Sequence, residues 1–228
     1  MSDLDKKVRQ SVSLLESLRD NYDGVVELSY SGGKDSDIIL ELAKYAGLKC
    51  RAIYKRTTID PPYTEKHVKS KEAEVVKPKQ TFFELVRKKG FPTMRARFCC
   101  RELKEYKILD KAVQGIRRSE SKKRMKRYTE PSFCRIYEGG EKTEIFLPIL
   151  EWTNDDVYNF ICANGIRCHP LYYDEKGRFD VNRRLGCMGC PLSIKNAIMD
   201  FHQYPQLLKL FLKKRADMAG YAPECGFS

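Results

Sequence analysis

The sequence predicts an α/β protein in which a parallel sheet is flanked by helices. Three observations carry this prediction: an apolar, strand-like run at 25–30, a glycine-rich loop directly after it at 31–36, and a run at 37–46 whose apolar residues recur at helical spacing before a glycine. A strand, a glycine-rich loop and a helix in this order are typical of a sheet that binds ligands at the carboxyl ends of its strands.

The remaining pattern extends this arrangement along the chain. We expect strands at about 49–55, 111–116 and 144–150, and helices at about 8–20, 63–74, 80–89, 104–110, 153–165 and 205–218. The stretch 117–142 contains a basic run at 122–127 and is expected to be an irregular, mobile loop. The length suits a single α/β domain, with a core of about 20–165 and a small, cysteine-bearing C-terminal extension of about 166–228.

Composition restricts the function classes. Of the 228 residues, 42% are hydrophobic and 32% are charged, which favours a packed core and excludes global disorder. Because the sequence has no apolar run of membrane-spanning length and the first residues lack the apolar segment of a signal peptide, we expect a cytoplasmic protein without a membrane partner. The net charge of +12 favours polyanionic partners such as nucleotides or nucleic acid.

The glycine-rich loop is the first candidate site. Glycines allow a phosphate to approach the backbone closely, the N–H groups at the following helix N-terminus point at the anion, and a lysine adds a full positive charge. The loop resembles the PP-loop of the ATP-pyrophosphatase superfamily, in which ATP is cleaved between its α- and β-phosphates. Its residues are Ser31, Gly32, Gly33, Lys34, Asp35 and Ser36.

Three further residues are candidates for nucleotide binding. Asp60 follows the second predicted strand and therefore lies at the edge of the sheet where ligands bind, although an aspartate before two prolines also suits a simple turn. Arg117 and Arg118 follow the strand expected at 111–116 and supply positive charge near the same edge. The basic run at 122–127 is either part of that surface or an ordinary solvated loop.

The nine cysteines predict a metal or redox site, because a chain without an export signal does not suggest a disulfide framework. Four of them form an adjacent pair and a C-x-x-C turn flanked by glycines, and they are Cys99, Cys100, Cys187 and Cys190. A [4Fe–4S] cluster suits adjacent cysteines, since each can bind a separate iron; a zinc ion and unligated redox thiols are the alternatives. The others considered, Cys50, Cys134, Cys162 and Cys168, are expected to be ordinary buried or partly buried thiols.

Five motifs in this order resemble the phosphoadenosine phosphosulfate (PAPS) reductase family over residues 24 to 195. They are the PP-loop, the Cys-Cys pair, Arg-Arg-Ser-Glu-Ser at 117–121, Trp-x-x-x-Asp-Val-Tyr at 152–158 and Gly-Cys-x-x-Cys-Pro at 186–191. The resemblance implies a PP-loop, adenine nucleotide α-hydrolase-like fold and a [4Fe–4S] cluster on the four cysteines. The family includes sulfonucleotide reductases and, more distantly, the ATP-pyrophosphatases of DNA phosphorothioation systems.

Two enzymatic activities are compatible with this resemblance. The reductases use a C-terminal Glu-Cys-Gly segment whose thiolate attacks the substrate sulfur; this chain has Cys225 in that setting but continues Phe-Ser, a partial match. Their loop usually lacks the lysine found here as Lys34, which favours an enzyme that binds ATP, with Mg²⁺, and adenylates a substrate for sulfur incorporation. Lys34 is the candidate catalytic residue of the adenylating enzyme, and Cys225 is that of the reductase.

The implied partners follow from these two activities. They are ATP or an adenylyl sulfonucleotide, DNA or another acidic molecule, a cysteine desulfurase or thioredoxin-like reductant, and a second copy in a homodimer. A third, non-enzymatic interpretation is an iron–sulfur protein that senses nucleotides.

Overall fold

The computed structural model describes residues 2–137 and 139–219. These residues group into two compact units. The first contains the described chain up to Lys55, Pro62–Val76 and Tyr106–Leu185, and the second contains Arg56–Pro61, Lys77–Glu105 and the described chain from Gly186 onwards.

The first unit is built on one six-stranded sheet with the order β3-β2-β1-β4-β6-β5. The strands are β1 (Val26–Tyr30), β2 (Cys50–Lys55), β3 (Glu74–Val76), β4 (Lys111–Val113), β5 (Ser132–Ile136) and β6 (Lys142–Phe146). All neighbours pair in parallel except β5 and β6, which form an antiparallel hairpin. The predicted fold class, a PP-loop α/β sheet flanked by helices, is confirmed.

The helices divide cleanly between the units. Those of the first unit are α1 (Asp3–Asp20), α2 (Lys34–Tyr45), α3 (Thr64–Ser70), α6 (Lys122–Arg127) and α7 (Asn154–Ala163). Those of the second unit are α4 (Phe82–Lys89), α5 (Phe98–Leu103), α8 (Ile194–Gln203) and α9 (Pro205–Ala219). No helix among the residues that the structure describes is long and apolar enough to cross a lipid bilayer.

Apolar packing in the core of the first unit fixes the position of α2. The central strand β1 and helices α1, α2 and α7 bury Leu15, Leu28, Ile38, Leu42 and Phe160 in one apolar cluster. Burial of side chains of this size stabilises the fold by roughly 1.5–3 kcal/mol each. The core therefore fixes the axis of α2, and with it the position of the glycine-rich loop that precedes the helix.

The second unit has a smaller apolar core of its own. Helices α4 and α5 bury Phe82, Leu85, Phe98 and Leu103, and Phe211 of α9 packs its ring against Phe82 and other aromatic rings. The cysteines of interest lie on this core, because α5 carries the Cys-Cys pair and Cys187 packs against the cluster.

Several sequence predictions for secondary structure are wrong in detail. The helix expected at about 104–110 does not form, because α5 ends at Leu103, where the N–H groups of Lys104 and Glu105 both donate to the Cys100 carbonyl. The stretch 117–142 is not irregular: it contains α6 and β5, and β5 is held by pairing with β6, a contact that local sequence does not encode. The short β3 and helix α8 were not predicted.

Two smaller predictions are also corrected. Helix α2 begins at Lys34 rather than Asp37, because Gly33 is its N-cap. Cys134 and Cys162 are exposed rather than buried, because they lie on the edge strand β5 and on the outer side of α7. The division into a core of about 20–165 and an extension of about 166–228 stays a prediction.

Candidate functional site

The glycine-rich loop joins the end of β1 to the start of α2. Gly32 has a φ of 75°, a conformation that glycine adopts without strain. Gly33 is the N-cap of α2 and, as a glycine, has no side chain that could cap the helix. Ser36 closes the turn, since its N–H and its hydroxyl both donate to the Gly33 carbonyl, at 2.9 and 2.6 Å. The N-cap residue therefore supplies no side-chain cap, an arrangement that suits an anion, although the Tyr172 hydroxyl accepts from the Lys34 N–H at 3.3 Å.

The ammonium of Lys34 is held inside the protein. Its side chain is 3% exposed, and Nζ donates to the Arg183 carbonyl at 3.2 Å and lies 3.5 Å from the Asp35 carboxylate. Burial lowers the pKa of Lys34 below its ordinary value, and the neighbouring Arg117 and Arg184 oppose its charge further, while Asp35 supports it. A buried ammonium close to other cations is stabilised when an anion binds.

Arg117 lies behind the loop and holds it. The guanidinium is 1% exposed; Nε donates to Asp35 Oδ1 at 2.7 Å, and Nη1 and Nη2 both lie 3.1 Å from Asn154 Oδ1. Gly115 makes this approach possible, because a Cβ at this position would lie 2.9 Å from the Asp35 carbonyl oxygen. Since β1 and β4 are neighbours from which the chain continues in opposite directions, the loop lies at the switch point where α/β sheets bind ligands.

Four cations surround the loop and face two carboxylates. Arg124 of α6 pairs with Glu120, and Arg184 donates to the Glu120 carbonyl at 2.6 Å and lies 3.9 Å from its carboxylate. Burial and the charge of Arg184 lower the pKa of Arg124. Lys34 and Arg117 both pair with Asp35. The four cations of this cluster therefore outnumber the carboxylates of Asp35 and Glu120, and a polyphosphate would neutralise the excess positive charge.

The two other predicted nucleotide ligands have partners of their own. Arg118 pairs with Glu151 at 2.9 Å, while its Nε is buried without a hydrogen-bond partner among the described residues. Asp60 belongs to the second unit, where its carboxylate accepts hydrogen bonds from the N–H and the hydroxyl of Thr57 at 2.8 and 2.7 Å. These contacts agree with the turn-capping alternative for Asp60.

The structure brings the four predicted metal-ligating cysteines to one pocket of the second unit. Cys99 and Cys100 lie in α5, and Cys187 and Cys190 lie in the turn before α8. Hydrogen bonds fix this turn: Met188 N–H donates to the Ile59 carbonyl at 2.8 Å, and Gly189 N–H donates to Asp200 at 3.1 Å. The rest of the lining is mainly apolar and includes Ile59, Phe82, Pro92, Leu103 and Pro191.

Polar groups around the pocket adjust the charge of the thiols. The pKa of Lys104 lies above its ordinary value. Burial alone would lower it, but the negative charges of Cys187 and Asp60 have the larger effect. Hydrogen bonds from Cys99 and then Arg97 lower the pKa of Cys100 to about 6. The Cys187 thiol donates to Thr57 Oγ1 at 3.5 Å. The hydrogen bond with Cys100 raises the pKa of Cys99, and burial raises the pKa of Cys190. Cys100 is therefore the pocket cysteine whose surroundings favour the thiolate, the form in which cysteine binds metals.

The four thiols bear on which kind of metal centre the pocket could hold. Within residues 2–137 and 139–219, no three histidine, cysteine or acidic side chains stand close enough to hold one metal ion. Four thiols on an apolar pocket nevertheless fit a [4Fe–4S] cluster, because each cysteine then binds its own iron and the sulfur atoms stand further apart than around a single ion.

Sequence reasoning missed several residues around both sites. Tyr172, whose hydroxyl accepts from the N–H groups of Lys34 and Leu185 at 3.3 Å, belongs to none of the motifs in the sequence. Arg183, Arg184 and Lys104 carried no motif signal of their own for a role at these sites. Cys225 lies outside the described residues, so its predicted catalytic role stays a prediction.

Curated relatives of the chain include proteins without an assigned function. An uncharacterised protein of Methanocaldococcus jannaschii is 30% identical over 222 residues, covering 90% of this chain and 51% of that protein. An uncharacterised 37.8 kDa protein of Escherichia phage 186 is 31% identical over 60% of this chain and 43% of its own length. The chain thus spans about half the length of these relatives. Sulfate adenylyltransferase subunit 2 of Shewanella pealeana is 24% identical, over 77% of this chain and 69% of that subunit.

Solved structures with the same fold have low sequence identity to this chain. PAPS reductase from Candida auris, in a phosphate complex, is 14% identical, with a TM-score of 0.52 over 82% of this chain and 96% of that chain. A U34-tRNA thiolase from Methanococcus maripaludis with its [4Fe–4S] cluster is 15% identical, with a TM-score of 0.51 over 95% and 77%. FMN adenylyltransferase from Candida glabrata, bound to FMN and an ATP analogue, is 13% identical, with a TM-score of 0.53 over 74% and 59%.

A protein-family model matches the part of the chain that contains the loop and the pocket cysteines. The phosphoadenosine phosphosulfate reductase domain matches residues 26–193, a span that contains the loop, the basic cluster around it and all four pocket cysteines. This chain therefore belongs to the PAPS reductase family.

Proposed function

We propose that this protein is an ATP-pyrophosphatase that adenylates a substrate for sulfur incorporation. The observation that carries the proposal is the intact loop, in which the buried ammonium of Lys34 lies within a cluster of excess positive charge. A sulfonucleotide presents one or two phosphates, whereas ATP presents three and releases two of them together. The surplus cations around Lys34 are matched to that larger charge.

The residues around the loop would have separate roles in the proposed reaction. The backbone N–H groups at the start of α2, with Ser31 and Ser36, would hold the phosphates, and Lys34, Arg124 and Arg184 would neutralise the departing pyrophosphate. A substrate oxygen attacks the α-phosphorus, the bond to the oxygen that bridges the α- and β-phosphates breaks, and pyrophosphate leaves with that electron pair. A sulfur nucleophile then displaces AMP from the activated substrate. Mg²⁺ would enter bound to ATP, because Asp35 is already paired with Lys34 and Arg117.

The cysteine pocket is the proposed site of a [4Fe–4S] cluster held by Cys99, Cys100, Cys187 and Cys190. When bound, such a cluster supplies electron transfer or a site for sulfur chemistry. Of this chain's own residues, Lys104 would balance part of the negative charge of the thiolates, and the apolar lining would exclude water.

An acidic polymer is the proposed acceptor, with the DNA backbone of phosphorothioate modification as the specific form. Helix α6 supports this proposal, since Lys122, Lys123, Lys126 and Arg127 are exposed while Arg124 of the same helix reaches the loop cluster. Positive charge thus continues from the phosphate site to the protein surface, as binding of a phosphodiester requires. A cysteine desulfurase is the proposed sulfur donor.

The second candidate is a sulfonucleotide reductase, and the Glu-Cys-Gly sequence around Cys225 favours it. In that reaction the thiolate attacks the sulfur of the sulfonucleotide, a cysteine S-sulfonate forms, and AMP or its 3′-phosphate leaves. A thioredoxin-like dithiol would then reduce the S-sulfonate and release sulfite. The two candidates make different products.

The test compares pyrophosphate and sulfite release by anaerobically purified protein. ATP–Mg²⁺ with double-stranded DNA and a cysteine desulfurase system is expected to give pyrophosphate, and Lys34→Met is expected to reduce its rate by about 10²–10³-fold. Lys7→Met is the matched control, because Lys7, near the start of α1, also forms a partly buried ion pair, with Asp156 at 2.8 Å. Sulfite release from a sulfonucleotide that disappears in Cys225→Ser would overturn the adenylation proposal. Nucleotide binding without either product would indicate the sensor.

A further inference from the structure

The two residues that flank the glycine-rich loop are bonded to each other. Tyr30 is the last residue of β1 and directly precedes Ser31, while Asp37 directly follows Ser36 in the first turn of α2. The Tyr30 hydroxyl donates to Asp37 Oδ1. The loop is therefore closed at its base by one side-chain hydrogen bond between its two ends.

His67 of α3 completes this contact. Its Nε2 lies 3.2 Å from the Tyr30 hydroxyl and 3.2 Å from each oxygen of the Asp37 carboxylate. The Asp37 side chain is fully buried and that of His67 is 7% exposed. A carboxylate without access to water requires such donors, so the three groups depend on one another.

The surroundings of His67 define its role further. His169, 5.7 Å away between ring centroids, is fully buried. Its Nδ1 accepts from the Leu171 N–H at 3.1 Å, so the proton of the neutral ring is on Nε2, which faces Thr64 Oγ1 at 3.2 Å. Burial lowers the pKa of His169 to about 4, so this ring is neutral at physiological pH. The hydrogen-bond partners of His67 Nε2 in this network are therefore Tyr30 and Asp37.

We propose that Tyr30, Asp37 and His67 form a clamp that preorganises the loop for polyphosphate, with His67 as a positioning residue that acts through Asp37. None of the three needs to touch the nucleotide. A loop whose ends are already fixed loses less conformational entropy when it orders around an anion, and its N–H groups stay aimed at one position. The clamp rests on the proposed nucleotide site, and it predicts an effect on affinity separate from any effect on folding.

The experiment measures the affinity of ATP–Mg²⁺ by calorimetry and the midpoint of thermal unfolding for the same set of proteins. Tyr30→Phe, which removes one hydroxyl, is expected to weaken ATP binding about tenfold, the effect of one lost buried hydrogen bond. His67→Ala is expected to weaken binding by at least as much, and His67→Gln, whose amide can still donate to Asp37, is expected to restore most of it. Ser11→Ala is the matched control, because it removes a buried hydroxyl that bonds to Pro148 and Trp152, away from the loop.

The outcomes separate the clamp from the proposed function. ATP affinity that falls in Tyr30→Phe and His67→Ala, but not in a Ser11→Ala protein of equal melting temperature, supports the clamp. Equal affinity in all folded variants overturns it while leaving the nucleotide site intact. Weakened binding in the clamp variants, together with a wild-type protein that never releases pyrophosphate, supports the clamp and removes the proposed reaction. A wild-type protein that binds no ATP overturns both.

Discussion

Replacing Arg117 with lysine tests how the structure holds the loop from behind. Lysine keeps the positive charge and can still pair with Asp35, but it lacks the planar fork of five donors. The substitution therefore removes the two donations to Asn154 at 3.1 Å and at least one of those to Ser119 at 3.0 Å and the Trp152 carbonyl at 3.4 Å. Of these acceptors, the Trp152 carbonyl belongs to a buried residue, whereas Asn154 is half-buried and Ser119 is exposed. Water can therefore replace only part of what the substitution removes.

The magnitude follows from these contacts. A hydrogen bond from a charged group contributes about 1.5–3 kcal/mol, and several bonds from one guanidinium are not additive. Arg117→Lys is therefore expected to lower the free energy of unfolding by about 2–4 kcal/mol. Arg117→Met, which leaves Asp35 without its main partner, is expected to lower it by about 3–5 kcal/mol.

Fluorescence during urea unfolding is a direct assay, because the single tryptophan, Trp152, is buried in the first unit and contacts Arg117. Arg178→Lys is the control, since this guanidinium pairs with Asp174 on the surface and its replacement is expected to leave the free energy of unfolding unchanged. An Arg117→Lys protein within 0.5 kcal/mol of wild type, on the order of measurement error, would refute the role assigned to this buried arginine.

Three further predictions follow from single features. Burial lowers the pKa of His169 to about 4 in the folded protein, so the unfolded state takes up the proton first as the pH falls. About 3 kcal/mol of stability that is present above pH 6.5 is therefore lost as the pH falls towards 4. His169→Asn should flatten this part of the stability–pH curve, and an unchanged slope would contradict the prediction. Thr153→Ala removes the hydroxyl that caps α7 and should cost about 1 kcal/mol in urea unfolding, whereas an unchanged midpoint would show that the cap contributes nothing. Anaerobic protein should carry about four iron atoms and absorb as an iron–sulfur protein, and Cys187→Ser should lose both properties while Cys162→Ser keeps them; a colourless protein with bound zinc would contradict the cluster.

Local sequence was sufficient where a short segment supplies its own geometry. The loop at 31–36 and the capping box at Thr153 form as their residue types predict. The four cysteines that the sequence groups together also line one pocket, while their role as metal ligands stays a prediction. In each of these cases the residue types and their spacing carry the chemistry.

The rest depends on contacts between distant parts of the chain. Arg117 was expected to bind the nucleotide, whereas the structure buries it against Asp35 and Asn154. This burial depends on the close approach of Gly115 to Asp35, which is visible only in three dimensions. Strand β5 forms through its hairpin with β6 and has no strong local signal. His67 reaches Asp37 across thirty residues of chain, a distance that no motif spans.

The ratio of ATP to AMP affinity tests the central claim most directly, since it requires neither the acceptor nor the sulfur donor. If the cations around Lys34 are matched to the β- and γ-phosphates, calorimetry with the wild-type protein should give ATP–Mg²⁺ at least a tenfold tighter Kd than AMP, about 1.4 kcal/mol. Lys34→Met should remove most of that difference. AMP that binds as tightly as ATP, together with an adenylyl sulfonucleotide that binds more tightly than either, would contradict the claim that this member of the family uses ATP.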